Sequence, residues 1–336
     1  MKILMIGGTG TISTSITAQL LERGDEVTLY NRGKTLARFQ GGAKIIHGDR
    51  NDFAAFEAQM AAAGHFDSVI DMMCFTPGQA QSVIRAFKGR IGQFIFCSTV
   101  DVYTKPPLIH PVIESESRNA NSDYGRNKVI CEDLFMEAGE RGDFAMTTIR
   151  PAHTYGDTGN LVHTFGWRTT IWDRLRRGKP IILHGDGTAL WVSCHSDDVG
   201  RAFVNACGNT TAYGKAYHTT GEEWRTWTQY FHEAAEAIAA PPPNLVYIPT
   251  SVLMQVAPQH ARISYDNFQF TNILDNTAAK TDLDFRFTVT WSEGVQRMYR
   301  WLTAHDRIEN CDLEPWYDPL IADWQRATAT LTPITD

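Results

Sequence analysis

In the stretch SDYGRNKVICE, residues 122–132, Tyr124 and Lys128 stand four apart. On a helix that spacing puts both on one face, where an ammonium lowers the pKa of a phenol toward a range useful for moving protons. A second stretch, FIFCSTVDVY at 94–103, reads as a buried strand running into Ser98 and Thr99. Hydroxyls at such a strand end lie on the carboxyl edge of a parallel sheet, where ligands of open α/β folds bind. A phenol, an amine and two hydroxyls can take a proton from a carbinol or return one to a ketone oxygen. Each pair alone is common: Tyr and Lys share many helix faces, and Ser-Thr ends many strands.

The chain opens with MKILMIGGTGTIS, an apolar run, a glycine turn and a helical pattern from Ile12. That order points backbone N–H groups of Gly7, Thr9, Gly10, Thr11 and Ile12 at one place, together with the positive end of a helix, and suits a pyrophosphate. A tight strand–helix connection is the plainer reading. The third position of a dinucleotide fingerprint is Ser13. A glycine there allows close helix–strand packing and touches no phosphate, so serine is expected to widen that packing slightly and to hydrogen-bond locally. After the second apolar run, LYNRG places Asn31 and Arg32 where an acidic residue would accept the ribose hydroxyls of NAD. An arginine suits a 2′-phosphate, so NADP is favoured over NAD, although an exposed turn arginine reads the same way. HGDRND at 47–52 sets Asp49 and Arg50 after the third run as candidate cofactor contacts, with Asp49 in reach of an adenine or capping the next helix.

These groups need a scaffold. Apolar runs at 2–6, 26–30, 43–47, 68–71, 93–98 and 144–150 alternate with helical spacing, which predicts a Rossmann-type doubly wound parallel sheet in an α/β fold. Ile12, Ile16 and Leu20 share one helix face, and Gly24 follows where that helix ends. After IRPAHTYG at 149–156 the rhythm lengthens and aromatics increase. A helix at 224–240 stops at Pro241, Pro242 and Pro243, and another runs over 291–302. The expected organisation is a dinucleotide-binding domain over 1–165, with 190–210 returning to it. A smaller C-terminal α+β substrate-binding cap is expected over 166–189 and 211–310, with a C-terminal extension over 311–336.

The formal net charge of −7 over 336 residues gives no basic field for a polyanion, so nucleic acid is disfavoured and a small partner expected. Six scattered cysteines form no C-x-x-C pair, which speaks against a zinc site and for reduced thiols in a cytoplasmic protein. No apolar run approaches a membrane span or a signal-peptide core.

Taken in order, GGTGTIS, GDRND, CSTVDVY, YGRNK, IRPAHTYG, ILHGDGTALWVSCHSDDVG and DLDFRFTVTWSEGV resemble the extended short-chain dehydrogenase/reductase family, in particular its sugar-nucleotide epimerases and dehydratases. The resemblance covers nearly the whole chain. It implies Tyr124 as the acid/base, Lys128 holding the nicotinamide ribose and tuning Tyr124, and Thr99 hydrogen-bonding the reacting oxygen with Ser98 beside it. Asp101 falls where dehydratases carry an acidic residue, and a structural carboxylate is the plainer reading. The resemblance also implies a homodimer. Two positions depart from it. Trp191 stands where an arginine grips the substrate diphosphate, and His153 where an asparagine contacts the sugar nucleotide; an indole cannot replace charge-assisted hydrogen bonds. Trp191 could stack on a sugar ring and His153 donate to a hydroxyl, or both could be core. A segment AYHTTGEEWRTWTQYFHEAAEAI also resembles an atypical branch that includes chloroplast stem-loop RNA-binding proteins. The expected activity is hydride chemistry on a secondary alcohol or ketone of a sugar-like molecule. A net reductase, or a non-catalytic RNA- or dinucleotide-binding protein, is the alternative.

Overall fold

The computed structural model describes residues 1–34 and 42–330, so 331–336 of the expected extension lie outside it. The chain divides into two compact units, 1–156 with 192–222 and 273–289, and 157–191 with 223–272 and 290–336.

The first unit is built on β1 (Lys2–Ile6), β2 (Glu26–Asn31), β3 (Lys44–His47), β4 (Phe66–Asp71), β5 (Ile91–Cys97), β6 (Ala145–Pro151) and the strand Lys215–Thr219. Across the seven-stranded sheet the order is Lys215–Thr219, β6, β5, β4, β1, β2, β3, with every neighbouring pair parallel. The order reverses between β1 and β4, which opens a crevice beyond the carboxyl ends of the strands. Helices α1 (Thr11–Glu22), α2 (Phe53–Ala62), α3 (Pro77–Phe87) and α4 (Asp123–Glu140) make the crossovers.

The apolar run in β1 is continuous because both faces of the sheet are covered. Ile3 and Met5 join Ile16 and Leu20 of α1 and Phe203 of the helix Ser196–Ala206. Leu4 and Ile6 join Phe56 of α2, Val83 of α3 and Phe135 of α4. Each such fully buried side chain contributes roughly 1.5–3 kcal/mol.

The second unit pairs Ile181–His184 in parallel with Leu245–Ile248, and Leu190–Trp191 antiparallel with Arg225–Thr226. Around these pack the helices Thr170–Arg176, Trp227–Ala237, Trp291–Ala304 and Tyr317–Ala329. The boundaries differ from the sequence expectation. Residues 211–222 fall in the first unit because Lys215–Thr219 extends the parallel sheet beside β6, and 273–289 because Ala279, Leu283 and Phe285 bury into its core. The described part of the C-terminal extension belongs to the second unit: Tyr317 Oη accepts from Ile182 N–H at 2.8 Å, and Trp316 and Trp324 pack beside it.

Candidate active site

The glycine turn leaves β1 with Gly7 at φ +114° and Gly8 at φ +101°, backbone that L side chains rarely adopt. A Cβ on Gly8 would lie 2.8 Å from Leu29 Cδ2, so the turn also hugs β2. Gly10 precedes α1, whose start has no side-chain cap. The N–H groups of Thr11 and Ile12 therefore remain free of intrahelical and capping acceptors, as an anion site requires. Ser13 explains its departure from glycine locally: its buried Oγ accepts from Gly10 N–H at 2.8 Å. Close helix packing is supplied instead by Gly200 on Ser196–Ala206, where a Cβ would come within 3.0 Å of Gln19 and 3.3 Å of the Ile16 nitrogen.

At the end of β2, Asn31 Oδ1 accepts from Gly33 N–H at 2.8 Å and Arg32 is exposed. Asp49 is exposed and accepts from Asn51 N–H, while the cap of α2 is Asp52. Arg50 is placed differently from the expectation of a cofactor contact. Its guanidinium is buried, donating to Asp71 Oδ2 at 2.6 Å and to the Gln79 carbonyl at 3.1 Å. A buried guanidinium requires such a carboxylate, and the partner sits at the end of β4.

Helix α4 starts at Ser122, whose Oγ accepts from Gly125 N–H at 3.0 Å. Gly125 is pressed against the turn after β5, since a Cβ there would lie 2.3 Å from the Asp101 carbonyl. This contact sets the Tyr124 phenol beside the Thr99 hydroxyl, which itself accepts from Asp101 N–H at 3.1 Å. Lys128, one turn on, is buried and donates to the Cys97 carbonyl at 2.7 Å. Its Nζ lies 4.6 Å from the Phe96 ring centroid, 4.8 Å from that of Phe75 and 5.8 Å from that of Tyr124. Burial raises the Tyr124 pKa although the residue as a whole is 43% exposed; the Asp101 carboxylate adds to the rise and the Thr99 hydroxyl opposes it. The expected lowering by Lys128 is thus outweighed, its ammonium being engaged by the Cys97 carbonyl. Asp101 pairs with the buried Lys105 at 3.5 Å, and burial lowers the Lys105 pKa against the pull of Asp101.

Ser98 does not join this group. Its buried Oγ faces the Glu132 carboxylate without a well-formed hydrogen bond, because successive strand residues point to opposite faces. Glu132 receives two hydrogen bonds from Arg150, at 2.9 and 2.7 Å. Arg150 also donates to Tyr103 Oη at 2.7 Å, and that oxygen is 2.5 Å from His218 Nε2.

Of the two expected substrate residues, His153 is half-buried, with Nδ1 2.8 Å from Ser193 Oγ and its ring stacked on Tyr155. Burial pushes its pKa down to about 4, so the imidazole is neutral. Trp191 offers no stacking face within its unit: it is 3% exposed and packs on Trp227 at 4.7 Å and Phe268 at 5.1 Å.

The structure therefore brings together Tyr124, Lys128, Thr99 and Asp101, and turns Ser98 and Arg50 into internal networks. It adds Phe75 and Lys105, which sequence reasoning missed. An aromatic residue just past the carboxyl end of β4 was the available sign for Phe75. Among the described residues no group of three or more His, Cys, Asp or Glu is arranged to hold a metal ion, and no helix is long and apolar enough to cross a membrane.

Residues 78–218 match the family model of the NAD dependent epimerase/dehydratase family. The chain is 29% identical over 259 residues to the chloroplast stem-loop binding protein of 41 kDa b of Arabidopsis thaliana, covering 73% of this chain and 65% of that one. It is 25% identical over 245 residues to the 2′-dehydrokanamycin reductase of Streptomyces kanamyceticus, covering 72% and 68%. The match thus spans about two thirds of each relative's length. UDP-glucose 4-epimerase from Bifidobacterium longum, solved in complex with NAD+ and UDP, has a similar fold. The TM-score is 0.74 at 16% identity, over 92% of this chain and 100% of that one.

Proposed function

We propose that the chain is a member of the extended short-chain dehydrogenase/reductase family and an NAD(P)-dependent enzyme of the epimerase/dehydratase type that interconverts a secondary alcohol and a ketone on a sugar-like ring, a reading supported by the family match over 78–218 and by the fold. One observation carries the reading: the exposed Tyr124 phenol beside Thr99 at the carboxyl edge of the sheet, one helical turn from Lys128, whose ammonium lies 5.8 Å from its ring.

The free N–H groups at the start of α1 and the positive-φ glycines fit a dinucleotide. Gly7, Thr9, Gly10, Thr11 and Ile12 would hold its diphosphate, Asn31 and Arg32 the adenosine ribose, Asp49 the adenine and Lys128 the nicotinamide ribose. Bound there, the nicotinamide supplies or accepts a hydride. Tyr124 carries the proton. The phenol is protonated at neutral pH, the form that donates to a ketone oxygen. Thr99 orients the same oxygen by a second hydrogen bond. Arg32 favours a 2′-phosphate and hence NADP.

The substrate is a sugar-like ring without a nucleotide diphosphate. Trp191 has no cationic donors for a diphosphate, and a relative named for reducing a dehydro-aminoglycoside supports a ketone borne directly on a sugar ring. The resemblance also supports a homodimer through α4, on which Ile130 is exposed.

The test has two steps. Nucleotide released on denaturing the purified protein is identified by mass spectrometry. The protein is then offered NADPH or NADH with a panel of keto-sugars and cyclitol ketones, with and without UDP groups. Reduction of nucleotide-free ketones with NADPH is expected. A protein that binds neither dinucleotide and oxidises neither with any ketone sinks the proposal.

A further inference from the structure

Behind the Tyr124 side of α4 lie two thiols that the proposed chemistry does not use. Cys74 and Cys131 are fully buried, fifty-seven residues apart in sequence, and their Sγ atoms are 3.8 Å apart. Two cations flank them. Lys128 is on the turn of α4 preceding Cys131, and the ammonium attracts its thiolate. The charge of the buried Arg50 guanidinium also favours a thiolate at either sulfur; its Nη atoms are engaged by Asp71 and Gln79, and its buried Nε has no hydrogen-bond partner. The pair is unsymmetrical. The Cys74 S–H donates to Cys131, which with Lys128 lowers the Cys131 pKa against the effect of burial, while burial and that same contact raise Cys74. Lys128, on the turn of α4 that precedes Cys131, places the attacking role on Cys131 and leaves Cys74 to resolve it.

We propose that Cys74 and Cys131 form a dithiol–disulfide site, closed by small hydroperoxides, that governs dinucleotide binding at the adjacent Lys128. The Cys131 thiolate attacks the peroxide; an S–O bond forms, the O–O bond breaks, and the departing oxygen leaves as water or an alcohol after taking a proton. Cys74 then gives up its proton and attacks the sulfenic sulfur; the S–S bond forms and water leaves. Two thiols are oxidised and one hydroperoxide is reduced.

Closure brings the sulfurs from 3.8 Å to about 2 Å. The movement falls on two segments that hold the ammonium: α4 one turn from Lys128, and the loop in which Phe75, next to Cys74, covers Lys128 Nζ at 4.8 Å. Phe75 N–H donates to Gln79 Oε1 at 2.7 Å, so a shift of Cys74 is expected to displace the ring that covers Lys128 Nζ. The effect on dinucleotide binding rests on the reading of Lys128 above; the disulfide itself does not.

The experiment treats the full chain with hydrogen peroxide or with buffer, blocks remaining thiols by alkylation, and maps the peptides without reduction. A 74–131 cross-linked peptide, lighter by two hydrogens and restored to free thiols by dithiothreitol, is the expected result. Cys74→Ser and Cys131→Ser should each abolish it. Unchanged alkylation of both residues, or their separate conversion to sulfinic or sulfonic acids, overturns the site, and wild-type protein alone decides this. NADPH titration then reads the coupling: oxidised protein should bind at least about tenfold more weakly than reduced protein, and the affinity of Cys131→Ser, which lacks the attacked thiol, should be indifferent to peroxide. Equal affinity of cross-linked and reduced protein overturns the control of binding. Reduced protein that binds no dinucleotide instead removes the functional reading and leaves the cross-link map standing.

Discussion

Two tyrosines hang near α4, each with a cation beside it, and they have opposite surroundings. Tyr124 is 43% exposed, with Thr99 at its hydroxyl and Lys128 5.8 Å from its ring. Tyr103 is 2% exposed, and its hydroxyl is held between Arg150 and His218. Burial raises both phenols, so the pKa direction does not separate them. Vacant hydrogen-bonding capacity does. The Tyr103 oxygen meets a donor and a ring nitrogen, with no room for a reacting atom, whereas the Tyr124 side chain has an open side. A residue type and a neighbouring cation do not mark a site; an unsaturated, accessible group does.

The largest effect expected tests that contrast directly. Tyr124→Phe should lower kcat by about 10²–10⁴ while NADPH affinity stays within a few-fold, because only the proton carrier is lost. Tyr103→Phe should leave turnover per folded molecule nearly intact and cost about 1–3 kcal/mol in stability, since Arg150 and His218 each lose a partner. Steady-state kinetics and urea unfolding on both variants decide it, and the reverse pattern would overturn the assignment of the sites. Within the closed cluster the strongest single break is Arg150→Leu, which leaves Glu132 buried with only Arg118, at 2.8 Å, to balance it. A loss of about 3–5 kcal/mol is expected, toward the lower end because Arg118 remains.

Acid and base should separate the two regions next. His218 and His153 in the first unit, and His163 and His184 in the second, are pushed by burial to about 4. Their unfolded value is about 6.5, so between those limits the unfolded chain binds more protons and stability falls as pH falls. Above about 6.5 this contribution is fully present; below about 4 the slope vanishes. Tyr124 acts at the other end. With its pKa raised, reductive turnover should stay level through about pH 9 and decline only above the ordinary tyrosine value of about 10. Unfolding midpoints and pH–rate profiles measured together test both signs, and His218→Asn should flatten only the acid limb.

Sequence periodicity was sufficient for what is local. The alternation of apolar runs carries the parallel sheet, and the spacing of Tyr124 and Lys128 holds because both lie on one helix. What could not be read depends on distant partners or on direction. Arg50 looked like a loop cation beside a cofactor, but its carboxylate is twenty-one residues away on another strand. Ser98 and Thr99 are adjacent, yet the pleat sends one to Glu132 and the other to Tyr124. Trp191 met the expectation of a flat face in composition and not in packing, because Trp227 and Phe268 already cover it. The Cys74–Cys131 contact joins a loop after β4 to the middle of α4, a pairing no spacing rule encodes.

The smallest effect expected concerns Arg32, the one cofactor assignment resting on an exposed charge at the end of β2. Its guanidinium can form paired hydrogen bonds with a 2′-phosphate, and nothing in NAD replaces that phosphate. Arg32→Ser should therefore weaken NADPH binding by about two- to fivefold and leave NADH nearly unchanged, an exposed charged contact being worth up to about 1 kcal/mol. Raising ionic strength should shrink the wild-type preference toward that of the variant, because exposed charges are screened within about a Debye length of 10 Å. Equal weakening of both dinucleotides would mean that Arg32 supports the turn and does not read the phosphate. The choice of cofactor would then rest with the ribose contacts of Asn31, whose amide oxygen is already engaged by Gly33 N–H.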